Sequence, residues 1–186
     1  MTDLAGQTYL VLGLGRSGCA AAALLRRHGA TVLGADDAPE AELAARWQRD
    51  RLTDLAAACD EVHAGGRWRE LAPGRADAVV LSPGVAAGHR DLAPWRAAGV
   101  PIAGELEWSA RLLPGRSIAV TGTNGKSTVT AWIAYILRTA GLESPAVGNL
   151  GTPLAAVVDR LGPDAIPVIE CSSFQLETTD RFGPDV

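Results

Sequence analysis

Two short apolar runs, Thr8-Tyr-Leu-Val-Leu12 and Ser117-Ile-Ala-Val120, each stop at a glycine turn that leads straight into a helical stretch. Strand, glycine turn and helix in that order make up the first half of a βαβ unit, whose parallel strands are buried on both faces and so read as unbroken apolar runs. Ala30-Thr-Val-Leu33, Ala78-Val-Val-Leu81, Val100-Pro-Ile102 and Ile166-Pro-Val-Ile169 have the same character. The alternation predicts an α/β protein built on parallel sheet. Helices are expected from Ser17 to His28 with Gly29 as C-cap, after Pro39, and over residues 91–98, 104–113, 126–140 and 154–161. Residues 54–77 give only a short helix and a turn, and residues 144–153, rich in Gly, Asn and Pro, read as a loop.

The organisation restarts near residue 104, where Pro114-Gly115 precedes a fresh strand, and a domain boundary is expected there. The second unit, about eighty residues with two expected strands, is small for a nucleotide-binding sheet. The chain is therefore expected to be cut short, with an unpaired sheet edge in its second half that drives association.

Composition excludes several classes. With 47% hydrophobic and 20% charged residues the 186-residue chain can bury a core and is not a disordered segment. A net charge of −4 and the lack of a continuous basic stripe argue against nucleic acid as a partner. Cys19, Cys59 and Cys171 show no CxxC spacing, so reduced thiols are expected in place of a disulfide framework or a zinc site. Gly13 breaks the first apolar run, and no other run reaches spanning length, so a cytoplasmic protein with no membrane insertion is expected. No obligate protein partner is expected.

The sharpest chemical signal is Gly122-Thr-Asn-Gly125-Lys126-Ser127-Thr128. Glycines allow backbone N–H groups to turn inward around phosphate oxygens, and the helix that follows adds its positive end. Lys126 can reach the terminal phosphates, and the Ser127 hydroxyl can ligate Mg²⁺. Val120 stands where the usual phosphate loop has its first glycine, so the loop is a shortened variant. Such a loop needs a carboxylate at a neighbouring strand end, which Glu170 supplies after Ile166-Pro-Val-Ile169.

A second glycine turn, Gly13-Leu-Gly15-Arg-Ser-Gly18, opens the first helix, with Asp36-Asp37 closing the second strand and Ser82-Pro83-Gly84 closing a later one. All three belong to the carboxyl edge of a parallel sheet, where ligands of this architecture collect. The residues suit a dinucleotide and a nucleotide diphosphate equally well. Elsewhere, Arg67-Trp68-Arg69 and Trp95-Arg96 are expected on exposed helix faces, and Trp132 in the core. Glu105 and Glu107, two apart on a helix, should point in different directions and not form an acid/base pair.

In their order, Gly13-Leu-Gly15-x-Ser17-Gly18, Ser82-Pro83-Gly84, Gly104-Glu-Leu-Glu107, Thr121 to Thr128, Gly148-Asn149 and Glu170-Cys-Ser-Ser-Phe-Gln-Leu-Glu177 resemble the Mur ligases over essentially the whole chain. The Ser-Ser-Phe-Gln-Leu-Glu stretch and the Ser-Pro-Gly turn are similar to the D-glutamate-adding branch. The resemblance implies a Rossmann-like domain for a UDP-linked substrate over residues 1–104, followed over 105–186 by an incomplete P-loop ATPase domain. It implies proteins more than twice this length, in which ATP phosphorylates the carboxylate of UDP-N-acetylmuramoyl-L-alanine and D-glutamate displaces the phosphate.

Carried over by position, the resemblance implies that Gly122, Thr123, Asn124, Gly125, Lys126, Ser127 and Thr128 hold ATP, that Ser127 and Glu170 hold Mg²⁺, and that Lys126 and Glu170 are catalytic. Arg16, Ser17, Asp36, Ser82, Pro83 and Gly84 would hold the uridine diphosphate end, with Asn149, Ser172 and Gln175 near the substrate. The family's further histidine and carbamylated lysine lie beyond residue 186. His28, His63 and His89 do not match that histidine and read as surface or packing residues, so these 186 residues alone are expected to be inactive. Another Mur or folylpolyglutamate-type ligase, an NAD(P)-dependent oxidoreductase using the first glycine turn, and a non-catalytic nucleotide-binding module remain alternatives.

Overall fold

Along the first strand, β1 (Thr8–Leu12), side chains divide between two cores: Tyr9 and Val11 on one face, Leu10 and Leu12 on the other. Every one of those four is buried, which is why the run shows no polar alternation. In the computed structural model, which describes residues 4–149 and 151–186, this strand is the centre of a sheet. Residues 1–3 and Leu150, part of the expected 144–153 loop, lie outside the described residues.

After β1 come α1 (Arg16–Arg27), β2 (Thr31–Ala35), α2 (Glu40–Asp50), α3 (Thr53–Ala56), β3 (Glu61–His63), β4 (Ala78–Leu81), α4 (Ala93–Ala97) and β5 (Ile102–Gly104). The five strands pair in parallel in the order β3-β2-β1-β4-β5. The chain then forms α5 (Glu105–Ala110), β6 (Ile118–Val120), α6 (Lys126–Thr139), β7 (Ala146–Gly148), β8 (Val168–Glu170) and α7 (Ser173–Leu176). Here β8 is the middle strand of a second parallel sheet, β6-β8-β7. The fold is thus mixed α/β on parallel sheets.

Core packing joins the two sheets. Leu154, Ala155 and Val158 are buried in the same cluster as Tyr9, Leu24 and Leu106. The link is also polar. Glu105, 1% exposed, accepts from Ala155 N–H at 2.9 Å and from the Ser109 hydroxyl at 3.0 Å. Burial pushes its carboxyl above the usual range. At the far end of α1, Asp159 accepts from Arg27 Nε and His28 Nε2, each at 2.7 Å. Partial burial acts to raise its pKa, but those two partners outweigh it and hold the carboxyl below its ordinary value. Asp159→Ala is expected to cost on the order of 1 kcal/mol, because the group is partly exposed, and the urea unfolding midpoint measures it.

The structure departs from the sequence reading in instructive places. Ala146–Gly148 is a strand where a loop was expected: its two apolar residues lie among Pro145, Asn149, Gly151 and Pro153, whose turn signals outweigh them. The strand Glu61–His63 was likewise missed. The expected helix 154–161 is two 3₁₀ turns, Leu154–Ala156 and Val158–Arg160, held by burial of Leu154 and Val158. The outer edge of β6 is met by the chain's last residues, where Ala119 N–H donates to Val186 O at 2.8 Å and Asp185 N–H to Ser117 O at 3.0 Å, so that edge is not wholly unpaired.

The tryptophans reverse their expected places. Trp68 and Trp95 are 0% and 2% exposed in the second core, because the 3₁₀ turn Arg67–Glu70 and α4 lay them against the sheet. Trp132, expected in the core, is 69% exposed beside Val129, Tyr135 and Ile136 on the outer side of α6. That helix carries large apolar residues on its solvent side and turns the smaller Thr130 and Ala134 inward. Among the described residues no helix is long and apolar enough to cross a membrane.

Candidate functional site

The chain reverses direction at the end of β1 through Gly13, whose φ of +91° suits glycine. A Cβ there would lie 2.9 Å from Ser82 Cβ, so the turn after β1 and the turn after β4 touch. Gly18, in the first turn of α1, is needed for a similar reason: a side chain would run into the Gly13 carbonyl. Between these turns, at the carboxyl ends of β1, β2 and β4, lies a cavity of about 500 Å³ lined by Gly13, Gly15, Asp36, Arg46, Trp68 and Ser82, among others.

Asp36 is the organiser of its rim. Its Oδ2 accepts from Leu14 N–H at 2.8 Å and its Oδ1 from Ala38 N–H at 2.9 Å. The carboxylate thereby ties the first glycine turn to the end of β2. Trp47 reinforces the tie by donating from Nε1 to Leu14 O at 3.0 Å. Asp37 turns to the other wall. It accepts from Trp68 Nε1 at 2.8 Å and from both terminal nitrogens of Arg69, at 2.8 and 2.9 Å. The Arg69 guanidinium holds the Asp37 carboxyl below the usual range.

A second cavity of about 290 Å³ shares Ser82 and Gly84 with the first and continues toward the second sheet. Its lining brings together Arg16, Ser17, Ser82, Pro83, Asn149 and Gln175, which are far apart in sequence. Arg16 Nη1 donates to Gly151 O at 3.0 Å, spanning the gap between the two sheets. Ser172 is the N-cap of α7; its hydroxyl accepts from Gln175 N–H at 3.3 Å, and Gln175 Oε1 accepts from Ser172 N–H at 3.0 Å. This capping box fixes the Gln175 side chain at the cavity wall.

The third part lies at the carboxyl end of β8. Glu170 pairs in register with Val120 on one side and Gly148 on the other. It therefore stands between the glycine loop that follows β6 and the Asn149 turn that follows β7. Gly148 has φ +95°, and a Cβ on it would collide with the Glu170 carbonyl, so only glycine fits that approach. Glu170 is 2% exposed; its Oε1 accepts from Asn149 Nδ2 at 2.8 Å, while its Oε2 is buried with no hydrogen-bond partner. In the loop, Gly122 and Gly125 take φ of +142° and +78°, and Lys126 folds back to donate to Gly122 O at 2.7 Å and Thr123 O at 3.3 Å. The ammonium thus sits over the loop at the N-terminus of α6, with Ser127 and Thr128 in the helix's first turn.

The candidate binding and catalytic residues named from the sequence fall on these three parts. The residues that sequence reasoning missed are Arg46, Trp47, Trp68 and His89, which wall or brace the first cavity. The spacing of Arg46 and Trp47 after Pro39, one to two turns into a helix that must pack beside the first glycine turn, was the one available signal.

A parallel sheet in this order, with its crevice where the strand order reverses, is the architecture of Rossmann-like proteins. More narrowly, the chain belongs to the Mur ligase family: residues 7–104 match the family model "Mur ligase MurD-like, N-terminal domain". It is 39% identical over 185 residues to the UDP-N-acetylmuramoylalanine--D-glutamate ligase of Koribacter versatilis, which takes in 99% of this chain and 39% of that protein. To the ligase of the same name from Acidobacterium capsulatum it is 42% identical over 187 residues, again 99% of this chain and 39% of the relative. Among solved structures, a murein peptide ligase from Psychrobacter arcticus shares the fold, with a TM-score of 0.51 at 21% identity over 90% of this chain and 38% of that one. The chain spans about two fifths of the length of the curated relatives it matches.

Proposed function

We propose that the chain is part of an ATP-dependent, ADP-forming ligase that joins D-glutamate to UDP-N-acetylmuramoyl-L-alanine in peptidoglycan precursor synthesis. Residues 1–104 would bind the UDP-linked substrate, and residues 105–186 would contribute the phosphate loop of an ATP-binding domain. The observation that carries this reading is the place of Glu170, at the one strand end that borders both the glycine loop and the Asn149 turn. ATP on one side and the substrate carboxylate on the other would meet across it.

Gly122 to Thr128 would cradle the triphosphate, with Lys126 leaving its carbonyl partners for the terminal phosphoryl oxygens. Glu170 and Ser127 fit a magnesium ion. Both offer hard oxygen donors, and the buried, unpartnered Oε2 is the kind of group that a cation or donor must satisfy. Magnesium held there supplies neutralisation of charge on the phosphoryl group in transit. Asn149 keeps Glu170 aimed by occupying its other oxygen.

In the first step the terminal P–O bond of ATP breaks as an alanyl carboxylate oxygen bonds phosphorus. In the second the D-glutamate amine attacks the acyl carbon, the C–O bond to phosphate breaks, and the amine gives up a proton. Arg16, Ser17, Asp36 and the Ser82–Gly84 turn would position the diphosphate end, and Asn149, Ser172 and Gln175 the sugar and its carboxylate.

The test is ADP release by a polypeptide of the relatives' full length. It should require both UDP-N-acetylmuramoyl-L-alanine and D-glutamate, and Glu170→Gln should raise the magnesium concentration needed for half-maximal rate by about tenfold or more. Release that needs a different amino acid or a pteroyl substrate would overturn the proposal.

A further inference from the structure

The second cavity draws its walls from different sheets: Ser82 and Pro83 follow β4, while Asn149 and Gln175 follow β7 and β8. Its width therefore depends on what spaces the two sheets at that point. The edge strand of the first sheet, β5, pairs with β4 so that Gly104 stands opposite Leu81, the residue before Ser82. Gly104 in turn meets the segment after α7. Its N–H donates to Thr178 O at 2.8 Å, and Thr178 donates from Oγ1 to Gln175 O at 2.9 Å and from its N–H to the same carbonyl at 3.2 Å.

This approach leaves no room for a side chain at position 104. With φ −74° and ψ 163°, Gly104 is in extended backbone that any residue adopts, yet a Cβ on it would collide with Thr178 Oγ1 and lie 3.2 Å from Thr178 Cβ. Thr178 cannot simply slide away, because the residues that follow are tied down: Glu107 Oε2 accepts from the N–H groups of Asp180, Arg181 and Phe182. At the far end of the same linkage, Ser172 N–H donates to Gln175 Oε1 at 3.0 Å. The amide nitrogen is then the group that Gln175, only 3% exposed, offers to the cavity it lines.

We propose that Gly104 and Thr178 are positioning residues: their close contact sets how far Gln175 stands from the Ser82 turn, and with it the reach of Gln175 Nε2 to an anionic oxygen of the substrate. This rests on the reading above that Ser82 and Gln175 meet the UDP-linked substrate. The lining of the second cavity includes Gln175 but neither Gly104 nor Thr178, so both act through Gln175. A displacement of about 1 Å is enough to lose a hydrogen bond that holds over a narrow range of separations. Glycine serves at position 104 for spacing, not for backbone conformation.

Steady-state ADP release by a polypeptide of the relatives' full length tests this. Gly104→Ala is expected to raise the KM for UDP-N-acetylmuramoyl-L-alanine by about tenfold while kcat and the KM for ATP hold, the pattern of lost substrate binding. Adding Thr178→Ala, which removes the opposing oxygen, should bring that KM back to within about threefold of the unsubstituted protein. Should Gly104→Ala not fold, Thr178→Leu, which crowds the same contact from the other side and leaves β5 intact, decides by the same comparison of the two KM values. An unchanged KM, a KM that rises equally for both substrates, or a rise in Gly104→Ala that persists once Thr178→Ala is added would overturn the positioning role. If the unsubstituted polypeptide releases no ADP with this substrate, the ligase reading itself fails, an outcome distinct from a failure of the Gly104–Thr178 contact.

Discussion

Lys126→Ala is expected to lower substrate-dependent ADP release, in a polypeptide of the relatives' full length, by on the order of 10²–10³-fold. The ammonium sits over the glycine loop on two carbonyl oxygens, at 2.7 and 3.3 Å, and is the only lysine in the chain. Its side chain contributes no core packing, so the melting temperature should hold while the rate falls. Unchanged turnover in a folded Lys126→Ala protein would remove the phosphate role from the loop. Lys126→Arg should restore little, since a planar fork does not fit a cradle shaped for a point charge.

Glu107→Ala should cost about 3 kcal/mol of stability, although Glu107 is remote from the glycine loop. Its side chain is 0% exposed; Oε2 accepts from the backbone N–H groups of Asp180, Arg181 and Phe182, each at 3.0 Å, and Oε1 from Arg111 Nε at 2.9 Å. Removing it strands those amides and frees the segment after α7 from α5. Burial acts to raise the Glu107 pKa, but the three amides and Arg111 together outweigh it and hold the carboxyl below its ordinary value. With the folded pKa below the unfolded one, near 4.3, the ionised group's stabilisation is fully present above that pH and is lost as pH falls through the folded pKa. Urea unfolding across pH 3–7 checks this. The gap between the unsubstituted chain and Glu107→Gln should narrow on the acid side, and a gap independent of pH would sink the account.

Much of the first sheet could be read directly from the chain because each strand is buried on both faces. Thr8–Leu12 and Ala78–Leu81 carry unbroken apolar runs between turn residues, and Gly29, with φ +80°, marks the end of α1 as a C-cap glycine should. The glycine loop before Lys126 was equally visible, since backbone that must turn inward at Gly122 and Gly125 needs residues without a Cβ. Ala146–Gly148 and Glu61–His63 were not: the first sits in a stretch rich in Gly, Asn and Pro, the second has only Val62 apolar between two polar residues, and both take their identity from the strand they pair with. Trp132 shows the same limit in a helix. Where the large apolar residues of a helix lie on one side and its small ones on the other, apolar character alone does not say which side meets the sheet.

The sequence by itself determined the local chemistry: which turns can bend, which runs must be buried, and where a cation and a carboxylate stand at strand ends. Only the tertiary structure decided what these groups face. Register alone puts Glu170 between Val120 and Gly148, and packing of residues 154–158 on α1 and α5 brings Arg16 to the carbonyl of Gly151. It also put Trp68 inside and Trp132 outside. The physical reason is one of range. Turns and caps are set by backbone sterics within a few residues, whereas a cavity is made of side chains brought together from distant parts of the chain, and their meeting depends on the burial of the whole core.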